Sequence, residues 1–526
     1  MVLPLLAALS LPAHAAECGG LEPWLVALDA DEGCTTLTLG ALREQAAMQD
    51  QQACLALALG QRGLPVPERA LAHSPARPPM PEKATRDPYG LFRAVESENF
   101  VVRWEDGITN QAAEEILVAF EEAWAFQIIE QGYPEPRYAD EYKINVYVGE
   151  SGPNAPQLYN SPAYQSVDIE SVPMIVMADY LIDYTSGKNT AAHEFHHMVQ
   201  DAISTYSYTG SGAWYWEATA SWIEVEVYPN DMSYASSLYG YAYIPHRSVD
   251  YFKLASSTEW ELENYHQYGA LIWPRYLTEF HVDATFIRDT WLEGDFRNDP
   301  MLTTRELLEE REGLDSYALF FDFAARNAVW DYQDRDAFLD VLASRQDDYQ
   351  DQSITRVIQG GLTDWANATQ GTLPERYGVN YVKLTDLEGD DLHVMFEGEA
   401  EGDSGSPAQW NVTVVYPRGA HGAYREVPLN EDGLTADVWL EGVADDSPDE
   451  VWLVIAVVSD VREPREVFNY RYFVETDFVE EEEEDTDPPP ITDLGHADTG
   501  RCAQAPAGPM WMGLLAGLAL LVRRRR

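Results

Sequence analysis

Cysteine is nearly absent from this chain. Of 526 residues only Cys18, Cys34, Cys54 and Cys502 are cysteines, and none lies between 55 and 501. Thiolate metal ligation in the body of the chain is therefore excluded. Two of the first three are expected to pair in an oxidising compartment, with the pairing left open. Lysine is almost as scarce, at Lys83, Lys143, Lys188, Lys253 and Lys383 only. Lys and Arg number 34 against 89 Asp and Glu, for a formal net charge of −55. Nucleic acid wants a basic stripe on its partner, so it is excluded as a ligand. Such an acidic surface keeps a protein dissolved and suits salty surroundings. Histidine numbers 11, so a short run holding three of them stands out.

That run is His193-Glu194-Phe195-His196-His197, an H-E-x-x-H motif in an apolar setting that reads as helix. Residues four apart share a helix face, so His193 and His197 can aim both imidazoles at one cation. Glu194 lies beside the first of them, where a carboxylate can take a proton from a metal-bound water. Two histidines and a free carboxylate in this arrangement suit zinc-dependent peptide hydrolysis. His196 sits off the His193/His197 line and reads as a solvated or supporting residue.

A catalytic zinc needs three protein ligands and an open position. Glu217 follows His197 by 20 residues (217 − 197). The spacing leaves room for the first helix to end near Ser207, a turn through Thr209-Gly210-Ser211-Gly212, and a second helix. Together, H-E-x-x-H and a helical Glu at this distance resemble the gluzincins, the thermolysin-like and aminopeptidase-like zinc peptidases. The resemblance implies His193, His197 and Glu217 as zinc ligands and Glu194 as general base. Its motifs cover residues 190–224, and its order of elements extends to 98–280. The thermolysin pattern has an Asp four residues after the ligand Glu. Here Ser221 stands there, so the support of the histidines must differ. Glu224, seven residues after Glu217, is a supporting carboxylate or the alternative ligand. A metzincin pattern fails, because Gln200 and Ile203 stand where it needs Gly and His.

The oxyanion of peptide hydrolysis needs a second donor besides the metal. The segment from Asn264 to Leu277 resembles the helix start that carries a catalytic Tyr in aminopeptidase-like gluzincins. Tyr265 is the first candidate, with His266 and Tyr268 behind it. The apolar run Ser171–Ala178 is either a core strand or the edge strand that pairs with an extended substrate.

The expected fold is an α+β zincin-like catalytic domain over residues 88–370. It has a mixed N-terminal sheet, a metal-binding helix and a mostly helical second half. Short period-two runs then recur from Tyr381 to Val474, the pattern of an all-β sandwich over residues 371–476. Residues 1–16 read as a secretory signal with an Ala13-His14-Ala15 cleavage site. Residues 17–87 read as a propeptide or accessory segment, with a helix from Ala41 to Leu59 and a Pro-rich run from Pro65 to Pro81. Residues 477–503 form an acidic, Pro-rich linker. Residues 504–526 carry a short apolar run before Arg523–Arg526. With Cys502 this resembles the C-terminal sorting tails of myxobacterial and related secreted proteins, which implies surface anchoring or processing. The expected function is a secreted or surface-anchored zinc endopeptidase acting on protein or peptide substrates. The alternatives are a surface adhesion protein with an idle zincin domain, and a zinc aminopeptidase. Oligomeric state is not readable.

Overall fold

The computed structural model describes residues 83–476, apart from 160, 209, 254–260, 295–298, 350–355, 388, 390, 420, 444–449 and 462–464. The expected signal, residues 17–82 and everything after 476 lie outside the described residues. Within them no helix is long and apolar enough to cross a membrane. Residues 83–87, expected in the linker, are docked on the body. Ala84 bridges to Tyr142, and Arg86 reaches the buried Asp168 at 3.0 Å.

The first sheet has strands β1 (Arg93–Glu96), β2 (Phe100–Trp104), β3 (Ile144–Val148), β4 (Ala163–Val167) and β5 (Pro173–Met177). Their order is β1-β2-β3-β5-β4. β2, β3 and β5 run parallel, while β1 and β4 are antiparallel edges. The parallel strands are continuous apolar runs, buried along their whole length, as strands covered on both faces must be. The run Ser171–Ala178 is thus a core strand. The edge is β4, whose Tyr-Gln-Ser centre is half exposed and whose outer side is open to pairing.

Helix α1 (Asn110–Trp124) is capped by the Thr109 side chain and buries Ile116, Phe120 and Trp124. It continues as a π-helical turn over Ala125–Glu130. Such a turn shifts the helix face, and here it brings Gln127 inside. Helices α2 (Tyr184–Ile203) and α3 (Ala213–Val227) follow. α2 ends at Ile203, short of the expected end near Ser207, because Ser204 takes a left-handed conformation with φ 57°. Among the described residues, seven further α-helices run to residue 349: α4 (Tyr239–Ala242), α5 (His266–Gly269), α6 (Ile272–Phe280), α7 (Ala284–Glu293), α8 (Pro300–Leu307), α9 (Ser316–Asn327) and α10 (Arg335–Tyr349).

Two further sheets face each other. One has the order β11-β10-β13-β8-β6, the other β12-β9-β14-β7. The strands are β6 (Arg356–Gln359), β7 (Ala366–Asn367), β8 (Gly378–Thr385), β9 (Leu392–Gly398), β10 (Gln409–Arg418), β11 (His421–Glu426), β12 (Thr435–Leu440), β13 (Val451–Val458) and β14 (Tyr470–Thr476). The expected start at residue 371 is late, since β6 and β7 already pair into these sheets, and β6 runs parallel to β8. β13 reads Val-Trp-Leu-Val-Ile-Ala-Val-Val because both its faces are covered. Leu453, Ile455 and Val457 point between the two sheets. Val454, Ala456 and Val458 point the other way, into one core with Trp273, Phe320, Phe323 and Ala324 of the helices. The sandwich is therefore packed into the helical body.

Candidate metal centre

The candidate site sits where α2 faces α3. Asp183 starts α2 by accepting the Ser186 amide. One face of α2 is apolar: Ala191, Ala192, Phe195 and Val199 join the core that includes Phe100 and Trp124. The other face carries His193 and His197, one turn apart, with ring centroids 4.8 Å from each other. Opposite stands α3, an aromatic helix in which Trp214, Tyr215 and Trp222 are fully buried. Its burial fixes Glu217 toward α2.

His193, His197 and Glu217 offer three ligand atoms within 4.8 Å of one another. Glu217 Oε2 lies 3.4 Å from His193 Nε2 and 3.4 Å from His197 Nε2. The far side of each ring is already engaged. His193 Nδ1 donates to Glu224 Oε1 at 2.9 Å. His197 Nδ1 donates to Gln200 Oε1 at 2.7 Å. Gln200 is oriented by its own amide, which donates to the Trp216 carbonyl and to Thr219 Oγ1. Both neutral rings therefore carry the proton on Nδ1 and present a lone pair at Nε2. Two such lone pairs and a carboxylate oxygen converge with no donor among them. Only a cation or an added proton relieves that arrangement. Glu224 thus supports His193, and Glu217 is the carboxylate that faces both rings.

The electrostatics agree. Burial alone would lower the His193 pKa, but Glu217 and Glu224 raise it well above the usual value. Burial alone would raise that of Glu217, but the two imidazoles pull it far below the carboxylate range. Glu194 behaves differently. Burial lifts its pKa, against the opposing pull of both histidines and of the backbone N–H of Gln165 in β4. Its Oε2 is buried and has no hydrogen-bond partner. A carboxylate with one oxygen held and the other free is placed to accept a proton.

Two phenols border the cluster. Tyr208, in the α2–α3 turn, donates to Glu217 Oε1 at 2.8 Å. Tyr268, in α5, stacks on His193 with centroids 6.3 Å apart, and its phenol feels the charges of Glu217 and Glu194. Of the three donor candidates in this segment, Tyr268 is the one whose ring stacks on a cluster histidine. Tyr265 packs on Tyr239 beside Ile244 and Leu262. His266 is fully buried, with its ring against Tyr241 and Tyr251; burial pushes its pKa down to about 3, and it stays neutral. The segment is held by close backbone approach, since a Cβ on Gly240 would meet the Tyr265 carbonyl oxygen at 2.2 Å. His196 is buried rather than solvated. It pairs with Gln127 Oε1 at 2.9 Å, on the core side of α2. Tyr208 and Gln200 were not legible as site residues, because neither belongs to a periodic pattern or a spaced motif.

Comparison with known proteins gives a family and little else. The family model described as a family of unknown function (DUF6055) matches residues 72–455. No curated protein matches the chain. Among solved structures, a family GH115 4-O-methyl-α-glucuronidase with specificity for decorated arabinogalactans aligns at 10% identity with a TM-score of 0.14. The alignment covers 68% of this chain and 48% of that one; at that score the likeness carries no argument.

Proposed function

The chain belongs to DUF6055, a family of unknown function, and we propose that it is a zinc-dependent endopeptidase with a gluzincin-type, zincin-like site. The observation that carries this reading is the convergence of His193 Nε2, His197 Nε2 and Glu217 Oε2 beside the unpaired Glu194 Oε2. The donor set fits zinc. Ligand bonds of about 2.1 Å at tetrahedral angles put donor atoms about 3.4 Å apart, which is the separation between Glu217 Oε2 and each imidazole nitrogen. Two imidazoles and one carboxylate are also the ligand chemistry of hydrolytic zinc.

Zinc supplies the Lewis acidity that activates water and polarises the scissile carbonyl. The protein's own groups do the rest. Glu194 Oε2 takes the proton of the attacking water and delivers it to the leaving amine. Its raised pKa suits a group that must both accept and release a proton. The Tyr268 hydroxyl is the donor offered for the oxyanion, since that of Tyr208 is given to Glu217. The open side of β4 offers backbone groups to an extended substrate next to Glu194, which favours a chain over a free terminus. Export and surface retention belong to the same proposal.

Glu194→Gln keeps the shape of the site and removes the base. The variant is expected to bind zinc with wild-type stoichiometry and to lose caseinolytic activity by at least about a hundredfold. Thorough chelation is expected to abolish wild-type activity, and zinc to restore it. Full activity in the variant, or activity indifferent to chelation, would overturn the reading.

A further inference from the structure

Glu217 presents its two oxygens to different partners. Oε2 faces both histidines at 3.4 Å. Oε1 accepts the Tyr208 hydroxyl at 2.8 Å. A carboxylate beside a cation can bind through one oxygen or chelate through both, and chelation would need Oε1 to swing toward the same centre. Oε1 is instead held by the Tyr208 hydroxyl, a bond that chelation would have to break or stretch. The phenol is itself fixed, edge-on to Trp216 at 5.8 Å and to Phe252 at 6.1 Å. Trp216 in turn donates its indole N–H to the Tyr206 carbonyl at 3.0 Å and stacks on His197. The turn between α2 and α3 thus sets the angle of a carboxylate that α3 alone would leave free to rotate.

We propose that Tyr208 is a positioning residue that keeps Glu217 a one-oxygen ligand, and so keeps one coordination position open for water. The inference rests on the zinc reading above. It differs from a role for Tyr208 confined to the substrate oxyanion, because it acts in the resting protein before any substrate arrives.

The test is Tyr208→Phe, which removes the hydroxyl and keeps the ring contacts. Wild type and variant, both full-length, are loaded with Co2+ and compared by visible absorption at equal metal content. Coordination number is readable this way because geometry governs the spectrum of a transition metal. Zinc-edge X-ray absorption on the zinc-loaded pair gives an independent count. The wild type is expected to give the intense bands of a four-coordinate ion. The variant is expected to lose most of that intensity, and its zinc to gain about one light-atom neighbour. Identical spectra and equal neighbour counts at full loading would overturn the inference and leave the zinc reading standing. A wild type that takes up no metal, or takes it up equally after His193→Ala, would overturn the zinc reading itself.

Discussion

His193 and His197 are equivalent in the motif but not in the fold. His193 leans on a carboxylate, Glu224, at 2.9 Å, and His197 on a neutral amide, Gln200, at 2.7 Å. A charged partner makes the imidazole a stronger donor to a metal, and removal of such partners commonly costs 10- to 100-fold in affinity. Glu224→Gln keeps an acceptor at the same length and deletes the charge. It is expected to weaken zinc binding by about tenfold while leaving the thermal stability of the metal-free protein within a few degrees. Competition with a chromophoric chelator measures the affinity, and an unchanged value would show that the carboxylate's charge does not matter. The spacing of His193, Glu194, His197 and Glu217 was readable because helical periodicity turns sequence distance into facing side chains. Ser221 stands where the thermolysin pattern has Asp, and Glu224 was readable as either a supporting carboxylate or the alternative ligand. Its bond to His193 Nδ1 depends on how the two helices cross. Tyr208 and Gln200 depend on the same crossing and on a turn whose conformation no pattern encodes.

Among the elements, α2 followed from the motif in its apolar setting and α3 from the Gly-rich turn and the spacing to Glu217. The edge did not. Only the run that forms β5 was read as a possible edge, and the chain's return through β4 after β3 places β4 outside it. In the outer sheet a single histidine ties three strands together. His393 of β9 bonds Glu475 of β14 and Asp437 of β12, each at 2.8 Å. Its ring also lies flat on Trp439, 4.5 Å away. Burial alone would lower its pKa, but the two carboxylates hold it above the usual value of about 6.5. The sign follows from linkage: a group whose pKa is raised on folding stabilises the fold fully below its unfolded value and loses that contribution as pH rises through the folded value. Asp437 is mostly exposed, so solvent screening keeps the effect modest. Melting temperature is therefore expected to fall by a few degrees as pH rises from about 6 toward 8. His393→Gln is expected to flatten that part of the profile. A parallel decline in wild type and variant would assign the pH dependence to other groups.

For the whole molecule, the sandwich and the helical body share their interior. Strand patterning located the sandwich, but the inner faces of β8 and β13 read the same whether they meet another sheet or a helix. The contact is broad. Val379, Tyr381, Val415, Val454, Ala456 and Val458 lie in one core with Trp273, Phe320, Phe323 and Ala324. Polar ties cross it as well. The Tyr381 hydroxyl donates to the Ala324 carbonyl at 2.9 Å, and Arg376 reaches the buried Asp250 at 2.8 Å. Backbone bonds join Val379 to Pro245 and Glu375 to His246, in the stretch that leads to α5 and Tyr268. Each large apolar side chain uncovered costs about 1.5–3 kcal/mol, against a usual total stability of about 5–15 kcal/mol. Loss of this contact would therefore remove most of the margin. Residues 83–349 produced alone are expected to be insoluble or to lack a cooperative melting transition, whereas 83–476 is expected to melt cooperatively and to bind zinc. Calorimetry and metal content on the two chains check this. A soluble, cooperatively melting and active 83–349 chain would mean that the site stands without the sandwich, whose role would then lie outside the folding of the helical body.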